Sequence, residues 1–493
     1  MSKLNTVFSR IMDVEPVRRQ SLANFILQIA FTFVGFFSTV YFAHAVGANV
    51  LGQYFLALAY LGIIGMVTDG GFGGAAIKRI SEGEEPDAYF SAFFILRSLF
   101  VTIVVIALII FRGYFVDLNS TGIFIWLLLA MVVSHFRGVV EAGVVGCAKV
   151  GISATIGFID NLLRIIIQVI AVFLGFSVAG LMGGFIGGML AAVIIELRFL
   201  DLRLVRFDMR HIKSLSTFSF WLFLTSSGLL VFSYADTIMI GYFLENRDVG
   251  VYKIVLQFSS FAGFTVTSLH STLWPRVSRW GKTGEIVPIE KSLSRACSYS
   301  LILALPILSG GVLLGDRLLY FLYGQEFTYG YTALTILLVM QVVNIFQFFF
   351  TMYLGALDCQ KEAFKVTIVA VFANIILNYL LIPVLGISGA ALATISTMLL
   401  NAVLARRVLS KKMNIRLEYN TLLNILKAAV AMSLFVGAYR LFVPLSSVWL
   451  TLIPVILGGM LYGVLILKFD RKIYDELKGI FAQMNVTWPT WLS

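Results

Sequence analysis

Residues 91–111 read SAFFILRSLFVTIVVIALIIF, an apolar run whose single charged side chain is Arg97. About 20 consecutive apolar residues are enough for a helix to cross the hydrocarbon core of a bilayer. The pattern recurs along all 493 residues, of which 59% are hydrophobic and 13% charged, whereas soluble domains carry about 25% charged residues. This composition excludes a cytosolic globular enzyme, a disordered chain and a secreted disulfide scaffold, and it predicts an all-α integral membrane protein.

Apolar windows of this length predict about 14 transmembrane helices, with boundaries uncertain by a few residues. The predicted spans are 22–43, 51–69, 91–111, 122–142, 155–175, 178–198, 216–241, 250–271, 293–314, 330–357, 365–383, 387–405, 422–443 and 448–468. The loops between them are short, with none above about 20 residues. They leave no room for the extramembrane domain on which membrane glycosyltransferases and polymerases usually carry their chemistry.

Basic residues are distributed unevenly over alternate loops. With the N-terminus inside, the inside segments hold 29 of the 37 Lys and Arg residues, the outside loops hold 4, and 4 lie in or beside the spans. Cytoplasmic loops of membrane proteins are enriched in Lys and Arg. We therefore expect a multi-pass protein of the cell (plasma or inner) membrane with both termini cytoplasmic. The net charge of +11 then records topology and does not indicate a nucleic-acid partner.

The chain contains a weak internal repeat of six spans. Three short motifs recur in the same order, at offsets of 198, 212 and 211 residues. The matched pairs are 51–54 (LGQY) with 249–252 (VGVY), Cys147-Ala-Lys149 with Cys359-Gln-Lys361, and 174–177 (LGFS) with 385–388 (LGIS). Because six is even, both copies enter the membrane in the same direction, as in transporters that move two bundles about a central cavity.

This repeat predicts two pseudo-symmetric six-helix lobes followed by two further helices. The predicted regions are a cytoplasmic amphipathic segment at 1–20, lobes at 21–212 and 213–420, a two-helix hairpin at 421–469 and a cytoplasmic interfacial tail at 470–493. The terminal segments place apolar residues on one helical face, which suits anchoring at the membrane surface.

Two stretches resemble a known family. Residues 232–252 contain Phe232-Ser-Tyr-Ala-Asp236, Ile240-Gly-Tyr-Phe243 and Val249-Gly-Val-Tyr252, and residues 374–394 contain NIILNYLLIP followed by GISGAA and AT. Both are similar to the polysaccharide transport family, the O-antigen and lipid-linked oligosaccharide flippases. That family shares a superfamily with multidrug and toxin extrusion antiporters and lipid II flippases.

The resemblance implies a central aqueous cavity and alternating access. It implies a polyprenyl-phosphate- or pyrophosphate-linked glycan as cargo, moved from the cytoplasmic to the outer leaflet while its tail stays in membrane lipid. Glycan polymerases or glycosyltransferases of the same pathway would be its partners, and the protein itself would not be an enzyme. We expect no cofactor and no metal, since the three cysteines and four histidines form no CxxC or His-x3-His spacing.

Cationic residues within spans are candidates for holding the anionic headgroup, because ionisable groups inside a membrane usually face a cavity or a partner. These candidates are Arg97, Arg164 and Lys253. Asn161 and Gln168 share a helical face with Arg164 and complete this predicted binding set. The alternative is structural: Arg164 would pair with Asp160 four residues earlier, and Arg97 would extend to the inner headgroups.

Uncharged polar residues within the spans form a second candidate set. Gln341 and Asn344, with Gln347, form a stripe along the tenth span that would line a sugar cavity or join neighbouring helices.

Asp69, Asp160 and Asp236 are the carboxylates that would couple transport to Na⁺ or H⁺, or form a gate. Asp236 and Lys253 would pair at the outer side. The glycines after Asp69 would break or tightly pack the end of the second span, and those at 183–188 would pack helices closely.

Other functional classes remain as alternatives. A multidrug and toxin extrusion antiporter would have a cavity lined by carboxylates for cationic drugs, whereas the charges within these spans lean cationic. A membrane glycan polymerase or glycosyltransferase would carry a long outer loop with acidic or His-rich clusters, which this sequence lacks. A scaffold or channel without a transport cycle is disfavoured only weakly, by the repeat.

Overall fold

The computed structural model describes residues 16–114 and 122–483, and within these ranges the chain is helical throughout. The α-helices are α1 Pro16–Asp69, α2 Phe72–Ser81, α3 Pro86–Ile110, α4 Ile123–Gly146, α5 Val150–Phe173, α6 Val178–Leu197, α7 Met209–Phe243, α8 Asn246–Ser260, α9 Phe264–Thr283, α10 Ile286–Tyr323, α11 Tyr331–Ala356, α12 Gln360–Leu385, α13 Ile387–Leu409, α14 Tyr419–Phe442, α15 Val448–Phe469 and α16 Arg471–Gln483. Short 3₁₀ helices lie at Arg112–Tyr114, Phe261–Gly263 and Gln325–Gly330.

The predicted all-α membrane class is confirmed. Twelve helical segments of the described chain are long and apolar enough to cross a membrane. Helix α1, which includes one of these segments, contains the first two predicted spans as a single helix interrupted at Gly47, where φ is 78°. The seventh predicted span falls in α7, of which Leu230–Phe243 is apolar. The predicted number of about 14 therefore agrees with the observed helices.

The glycine run after Asp69 both breaks a helix and permits close packing, as predicted. Gly70 and Gly71 have φ of 54° and 79°, a left-handed conformation that glycine adopts without strain. A Cβ on Gly71 would lie 2.5 Å from the backbone oxygen of Ser219 in α7. The sequence did not predict α2, the short helix that follows this turn.

The repeat appears as matching turns in the two halves. Ala148, between α4 and α5, and Asp358, between α11 and α12, have φ of 61° and 58°. The hydrogen-bond pattern is also the same, since the three residues after each helix donate to equivalent carbonyl oxygens of its last turn. These turns match at an offset of 210 residues, so the predicted alignment of Cys147 with Cys359 is shifted by two residues.

The two halves meet along α1 and α8, where the first repeated motif of the sequence lies. A Cβ on Gly52 would be 1.6 Å from the oxygen of Asn246, and one on Gly250 would be 2.0 Å from the oxygen of Ala48. Only glycine lets two helix backbones approach this closely. The repeated glycine therefore forms the contact between the repeats.

The remaining helices extend the C-terminal half. Helices α14 and α15 pack against α10, and α16 packs against α15. Ile473 of α16 is buried in the same apolar core as Ile425 of α14 and Ile466 of α15. Residues 1–15 of the predicted amphipathic segment and 484–493 of the predicted tail lie outside the described residues.

The start of α7, the first helix of the C-terminal half, is held at the basic end of the bundle. This end carries the α2–α3, α4–α5 and α6–α7 connections. Glu85, before α3, accepts hydrogen bonds from His211 at 2.8 Å and from Arg210 at 2.7 Å. The hydrogen bond from His211, with a further contribution from the Arg210 charge, holds the pKa of the Glu85 carboxyl below its ordinary value. The carboxylate form, and hence this contact, is favoured throughout the neutral range.

Candidate functional site

A cluster of charged side chains lies inside the N-terminal half, at helices α1 and α3 to α6. Its centre is Arg137, whose side chain is 11% exposed. Arg137 donates to the fully buried Glu196, and lies 3.4 Å from Glu141 and 4.0 Å from Asp160. Sequence reasoning did not single out Arg137, which lies within the fourth predicted span and within α4. Three carboxylates therefore surround one buried arginine.

The side chain of Arg97 packs against the neighbouring helices α1 and α4 and does not extend to the inner headgroups. Its Nη1 lies 3.6 Å from Asp69 Oδ1 across α1 and α3. A Cβ on Gly138 of α4 would come within 2.0 Å of the same nitrogen, so Gly138 makes the space that the guanidinium occupies. The buried Nε of Arg97 has no hydrogen-bond partner among the described residues. Arg97 and the predicted coupling residue Asp69 are thus brought together.

Arg164 differs from both of these arginines. No carboxylate lies within 4 Å of it in the part of the chain that the structure describes, and Asp160 approaches Arg137 instead. The predicted local pair between Asp160 and Arg164 is therefore not formed. Arg164 is half-buried, and its Cβ packs closely on Gly188 of α6. Among the described residues, Arg164 therefore forms no ion pair of 4 Å or less.

The two amides predicted beside Arg164 have different surroundings. Gln168 is buried, and its Nε2 donates to the hydroxyl of Tyr54 at 3.0 Å and to the oxygen of Leu181 at 2.8 Å. Asn161 is exposed and donates to the oxygen of Gly157 one turn earlier. Gln168 therefore fixes α1, α5 and α6 together, whereas Asn161 remains open to a ligand or lipid.

Close packing of α5 on α6 holds this polar face in place. A Cβ on Gly184 would lie 2.4 Å from Gln168, and one on Gly188 would lie 2.7 Å from Asp160. The predicted packing role of these two small residues, spaced by four, is confirmed.

A second polar cluster is buried in the C-terminal half around Asp236 of α7. Its carboxylate accepts hydrogen bonds from Tyr252 at 2.8 Å, Asn378 at 2.6 Å and Thr394 at 2.5 Å. These donors come from α8, α12 and α13, and Asn374 accepts a further bond from Asn378 at 3.0 Å. The buried Oδ1 of Asn378 has no hydrogen-bond partner in the described ranges. The cluster thus surrounds one buried acid with hydrogen-bond donors from three helices.

The predicted outer pair between Asp236 and Lys253 is not formed. Within the described residues no ion pair of 4 Å or less involves Lys253, although Lys253 adjoins Tyr252 in α8. Within the described residues, the hydrogen-bond donors to Asp236 belong to the C-terminal half, so none of them joins this acid to the other half. Spacing along the sequence could not reveal the competing donors from α12 and α13.

Equivalent positions in the repeat hold the Tyr54–Gln168 contact of the N-terminal half and the Asp236 cluster of the C-terminal half. Tyr54 and Tyr252 end the repeated LGQY and VGVY motifs, and each hydroxyl bonds to a buried side chain. One cluster contains Gln168 and the other contains Asn378, which correspond at the 210-residue offset of the turns. The N-terminal copy is neutral there, whereas the C-terminal copy adds Asp236.

At the Gly47 end of the bundle, polar contacts that sequence reasoning missed join the halves. Glu326 accepts a hydrogen bond from the backbone N–H of Ala48 at 3.1 Å. His44 Nε2 lies 3.1 Å from the oxygen of Leu322. The break at Gly47 exposes the first N–H groups of the second part of α1, which attract a carboxylate. These contacts close the bundle at this end.

Comparison with known families identifies the chain. Residues 17–280, just over half of the sequence, match the polysaccharide biosynthesis protein family. The chain belongs to this family. Residues 222–381 also match the MatE family, and this range contains Asp236 and Asn378.

Relatives of this family member cover nearly its full length. It is 26% identical to a protein of Haloferax volcanii described as "Probable low-salt glycan biosynthesis flippase Agl15", over 95% of this chain and 94% of the relative. It is 25% identical to "Probable flippase AglR" of the same organism, over 94% and 98%.

Solved structures share the fold of this family member. "Lipid II flippase MurJ, inward closed conformation" superposes with a TM-score of 0.77, at 18% identity over 91% of this chain and 99% of the other. An inward-facing multidrug resistance MATE family transporter of the MOP superfamily superposes with a TM-score of 0.62, at 13% identity over 78% and 95%. The two-lobed helical architecture expected from the repeat is therefore that of known transporters.

The side chains of the polar stripe in the tenth predicted span lie in two environments, one closely packed and the other an open cavity. Gln341 is buried, and its Oε1 lies 2.9 Å from the position that a Cβ would take on Gly263. Asn344 and Gln347 instead line a cavity of about 700 Å³ in the C-terminal half. The three side chains predicted as one set therefore face different environments.

Proposed function

We propose that this protein moves a polyprenyl-phosphate- or pyrophosphate-linked oligosaccharide from the cytoplasmic to the outer leaflet by alternating access, for cell-surface polysaccharide or glycan synthesis. Its family membership and two probable flippases of similar length support this cargo. The observation that carries the proposal at the site is Arg164, a cation inside a membrane helix without an ion-pair partner within the described ranges. Arginine binds phosphate groups through paired hydrogen bonds.

Within the charged cluster, Arg164 is the side chain best placed to capture a phosphate. Arg137 lies among three acids, and Arg97 adjoins Asp69, so neither offers a free positive charge to the cargo. Arg164 does, and Asn161 is exposed one turn away. In this proposal Arg164 contacts the phosphate first, and Arg97 joins it when Asp69 is displaced.

The cell-membrane location, with both termini cytoplasmic, belongs to the same proposal. Export of an anion from a negative interior is favourable by about 2.3 kcal/mol per charge per 100 mV. A cargo carrying about two charges would gain roughly 4–5 kcal/mol at 100 mV from the membrane potential alone. The protein would act as a transporter, with glycosyltransferases or a glycan polymerase of the same pathway supplying and consuming its cargo.

Asp236 is the proposed site of a coupling ion. A carboxylate buried in a membrane protein needs a proton or a bound cation to offset its desolvation. The hydroxyl oxygens of Thr394 and Tyr252 and the unpartnered Oδ1 of Asn378 are ligands that would coordinate a small cation. Binding or release of Na⁺ or H⁺ there would change how α7 packs against α12 and α13.

A multidrug antiporter is the second candidate function. The MatE match over residues 222–381 and the buried Asp236 favour it. The unpaired Arg164 disfavours it, because a cationic drug would be repelled by the same side chain that attracts a phosphate.

Reconstitution into vesicles tests the proposal. Purified full-length protein would be incorporated into liposomes with a fluorescent lipid-linked oligosaccharide, and transfer between leaflets would be followed by quenching with a membrane-impermeant reagent. We expect transfer with wild-type protein, and a large loss when Arg97→Ala and Arg164→Ala are combined. Protein-free liposomes give the background.

Two results would contradict the proposal. Equal transfer by wild type and by the double variant would mean that Arg97 and Arg164 do not bind the headgroup of the cargo. Transport of ethidium, a cationic drug, against no transport of the lipid-linked glycan would support the antiporter instead.

A further inference from the structure

A cavity of about 700 Å³ lies in the C-terminal half, between α7, α9, α11, α12 and α13. This volume falls in the range of about 300–1,000 Å³ that small-molecule sites occupy. Its wall combines amide and hydroxyl groups with aromatic rings. The residues that matter here are Asn344, Gln347, Thr351, Asn401, His270 and Trp274.

The cavity wall is uncharged apart from one titratable ring. Among the described residues that line it there is no Asp, Glu, Lys or Arg, and His270 is the one titratable side chain. Arg164 and Asp236, the charged groups of the proposed transport site, are not part of the wall. A ligand that fits this cavity is therefore polar but without net charge, because an unpaired charge would lose its hydration there.

The polar groups of the wall form a row on one face of α11. Asn344, Gln347 and Thr351 follow helical spacing, and Asn401 of α13 faces the end of the row. Their mutual hydrogen bonds are long: 3.4 Å from Asn344 to Gln341, 3.5 Å from Gln347 to Thr351 and 3.3 Å from Thr351 to Asn401.

These lengths contrast with the tight bonds around Asp236, which measure 2.5 to 2.8 Å. Hydrogen bonds near 3.5 Å are weak. A row of weakly bonded amides inside a membrane protein retains most of its capacity to bind hydroxyl groups of a ligand.

Aromatic rings form the facing part of the cavity. The centroid of His270 lies 5.6 Å from that of Trp274 and 5.5 Å from that of Phe348. Trp274 packs on Gly355, where a Cβ would lie 2.8 Å from the indole ring, so the glycine makes room for it. The ring remains 37% exposed and available for contact.

We propose that this cavity binds uncharged sugar units of the lipid-linked glycan, a site separate from the phosphate contact at Arg164. This inference rests on the proposed function. A pyranose ring has apolar C–H faces that pack on aromatic rings and hydroxyl groups that bond to amides. The cavity offers both surfaces within a volume of about 700 Å³, and its described wall contains no Lys or Arg for a sugar acid.

Binding of three synthetic lipids to full-length protein in detergent tests the inference. They share a dolichyl chain and a phosphate and carry no sugar, glucose or glucuronate. We expect wild type to bind the glucosyl lipid about tenfold more tightly than the bare phosphate lipid, as for a few net hydrogen bonds. The glucuronyl lipid should bind no more tightly than the bare one.

Variants locate the effect. Asn344→Leu and Trp274→Ala should abolish the tenfold preference for glucose while leaving affinity for dolichyl phosphate unchanged, and Trp274→Phe should retain part of it. Trp449→Ala, which removes an exposed indole at the start of α15, is the matched control and should retain the full preference. Arg164→Ala should instead weaken all three lipids alike.

Several outcomes overturn the inference. Equal wild-type affinity for the bare and glucosyl lipids does so even if every variant misfolds, and so does a preference that survives both cavity substitutions. Tighter binding of the glucuronyl lipid would mean that a cationic side chain binds the sugar. Failure of the proposed function looks different, since wild type would then discriminate among lipids in detergent yet fail to move any of them in vesicles.

Discussion

Arginine side chains on two helices of the N-terminal half differ in what neutralises them. Arg137 of α4 is enclosed by Glu141, Asp160 and Glu196, whereas Arg164 of α5 has no carboxylate within 4 Å in the described chain. An arginine that remains charged inside a membrane protein needs an anion or water to stabilise it. The difference favours a structural role for Arg137 and supports the proposed cargo contact at Arg164.

The first prediction concerns Arg164. Arg164→Ala should lower the initial rate of lipid-linked oligosaccharide transfer by about tenfold or more, because it removes a charge-assisted bidentate contact. Arg164→Lys should be intermediate, since lysine keeps the charge but loses the planar fork. The measurement is transfer rate in proteoliposomes against cargo concentration, and the loss should appear mainly as weaker apparent affinity.

Arg416→Ala serves as its control, because Arg416 is an exposed basic residue between α13 and α14. If alanine at 164 and alanine at 416 gave the same transfer rate, Arg164 would have no role in cargo binding.

The second prediction concerns Asp236. Asp236→Asn preserves the size of the side chain but removes the negative charge that the three donors surround. We expect the variant to lose the dependence of transfer on Na⁺ or on a pH gradient, while the slow transfer driven by membrane potential persists. Transfer would be measured against Na⁺ at fixed pH, and then against pH without Na⁺.

Asp358→Asn is the matched control, since Asp358 is an exposed acid in the left-handed turn before α12, a conformation that Asn tolerates. A wild-type ion response in Asp236→Asn would place the coupling ion elsewhere.

At the scale of elements, the repeat determines where helices approach closely. The motifs 51–54 and 249–252 each contribute a glycine to the contact between α1 and α8. Each motif also ends in a tyrosine that bonds to a buried polar residue of its own half. One short motif therefore connects the join between halves to the interior of each.

The third prediction follows from this contact. Gly52→Ala would place a Cβ 1.6 Å from a backbone oxygen, which forces α1 and α8 apart. We expect a loss of about 1–3 kcal/mol of stability, as for overpacked cores, and a lower Tm in detergent. Gly65→Ala lies in the same helix with nothing within 4 Å and should be neutral or slightly stabilising. Equal Tm values for the two variants would show that the helices separate without cost.

Sequence periodicity predicts elements well here because lipid imposes helices and fixes their length. It predicts side-chain partners less well. Asp160 and Arg164 are spaced for an ion pair on one helix, yet Arg137 of α4 approaches Asp160 instead. Asp236 and Lys253 likewise lie near each other in sequence, but hydrogen-bond donors from α8, α12 and α13 surround the acid. Such partners depend on which helices meet, which spacing does not encode.

At the scale of the whole molecule, the halves are held together differently at their two ends. The Gly47 end is joined by Glu326 on the N–H of Ala48 and by His44 on the oxygen of Leu322. At the basic end α2 contacts α7, and Lys78 of α2 lies 4.2 Å from the ring centroid of Phe218 in α7. In the proposed alternating access, the contacts of Glu326 and His44 at the Gly47 end would break.

The fourth prediction tests this cycle by fixing the Gly47 end closed. His44→Cys and Glu326→Cys would be introduced after replacing Cys147, Cys297 and Cys359, and then joined by a short cleavable bis-thiosulfonate linker. Both positions are exposed and face the join. We expect linkage to stop lipid-linked oligosaccharide transfer and reduction of the linker to restore it, because cargo cannot leave unless this end opens.

A matched linkage within one half separates gating from general rigidity. Arg440 and Asp316 form a bidentate pair at 2.9 Å between α14 and α10, both in the C-terminal half. Cysteines at these two positions, joined by the same reagent, should leave transfer unchanged, because α10 and α14 move together. Transfer that continues at the full rate with the His44–Glu326 linkage complete by mass spectrometry would mean that cargo leaves by a route that does not part the halves there. Inhibition by both linkages would mean instead that the C-terminal half itself deforms during transport.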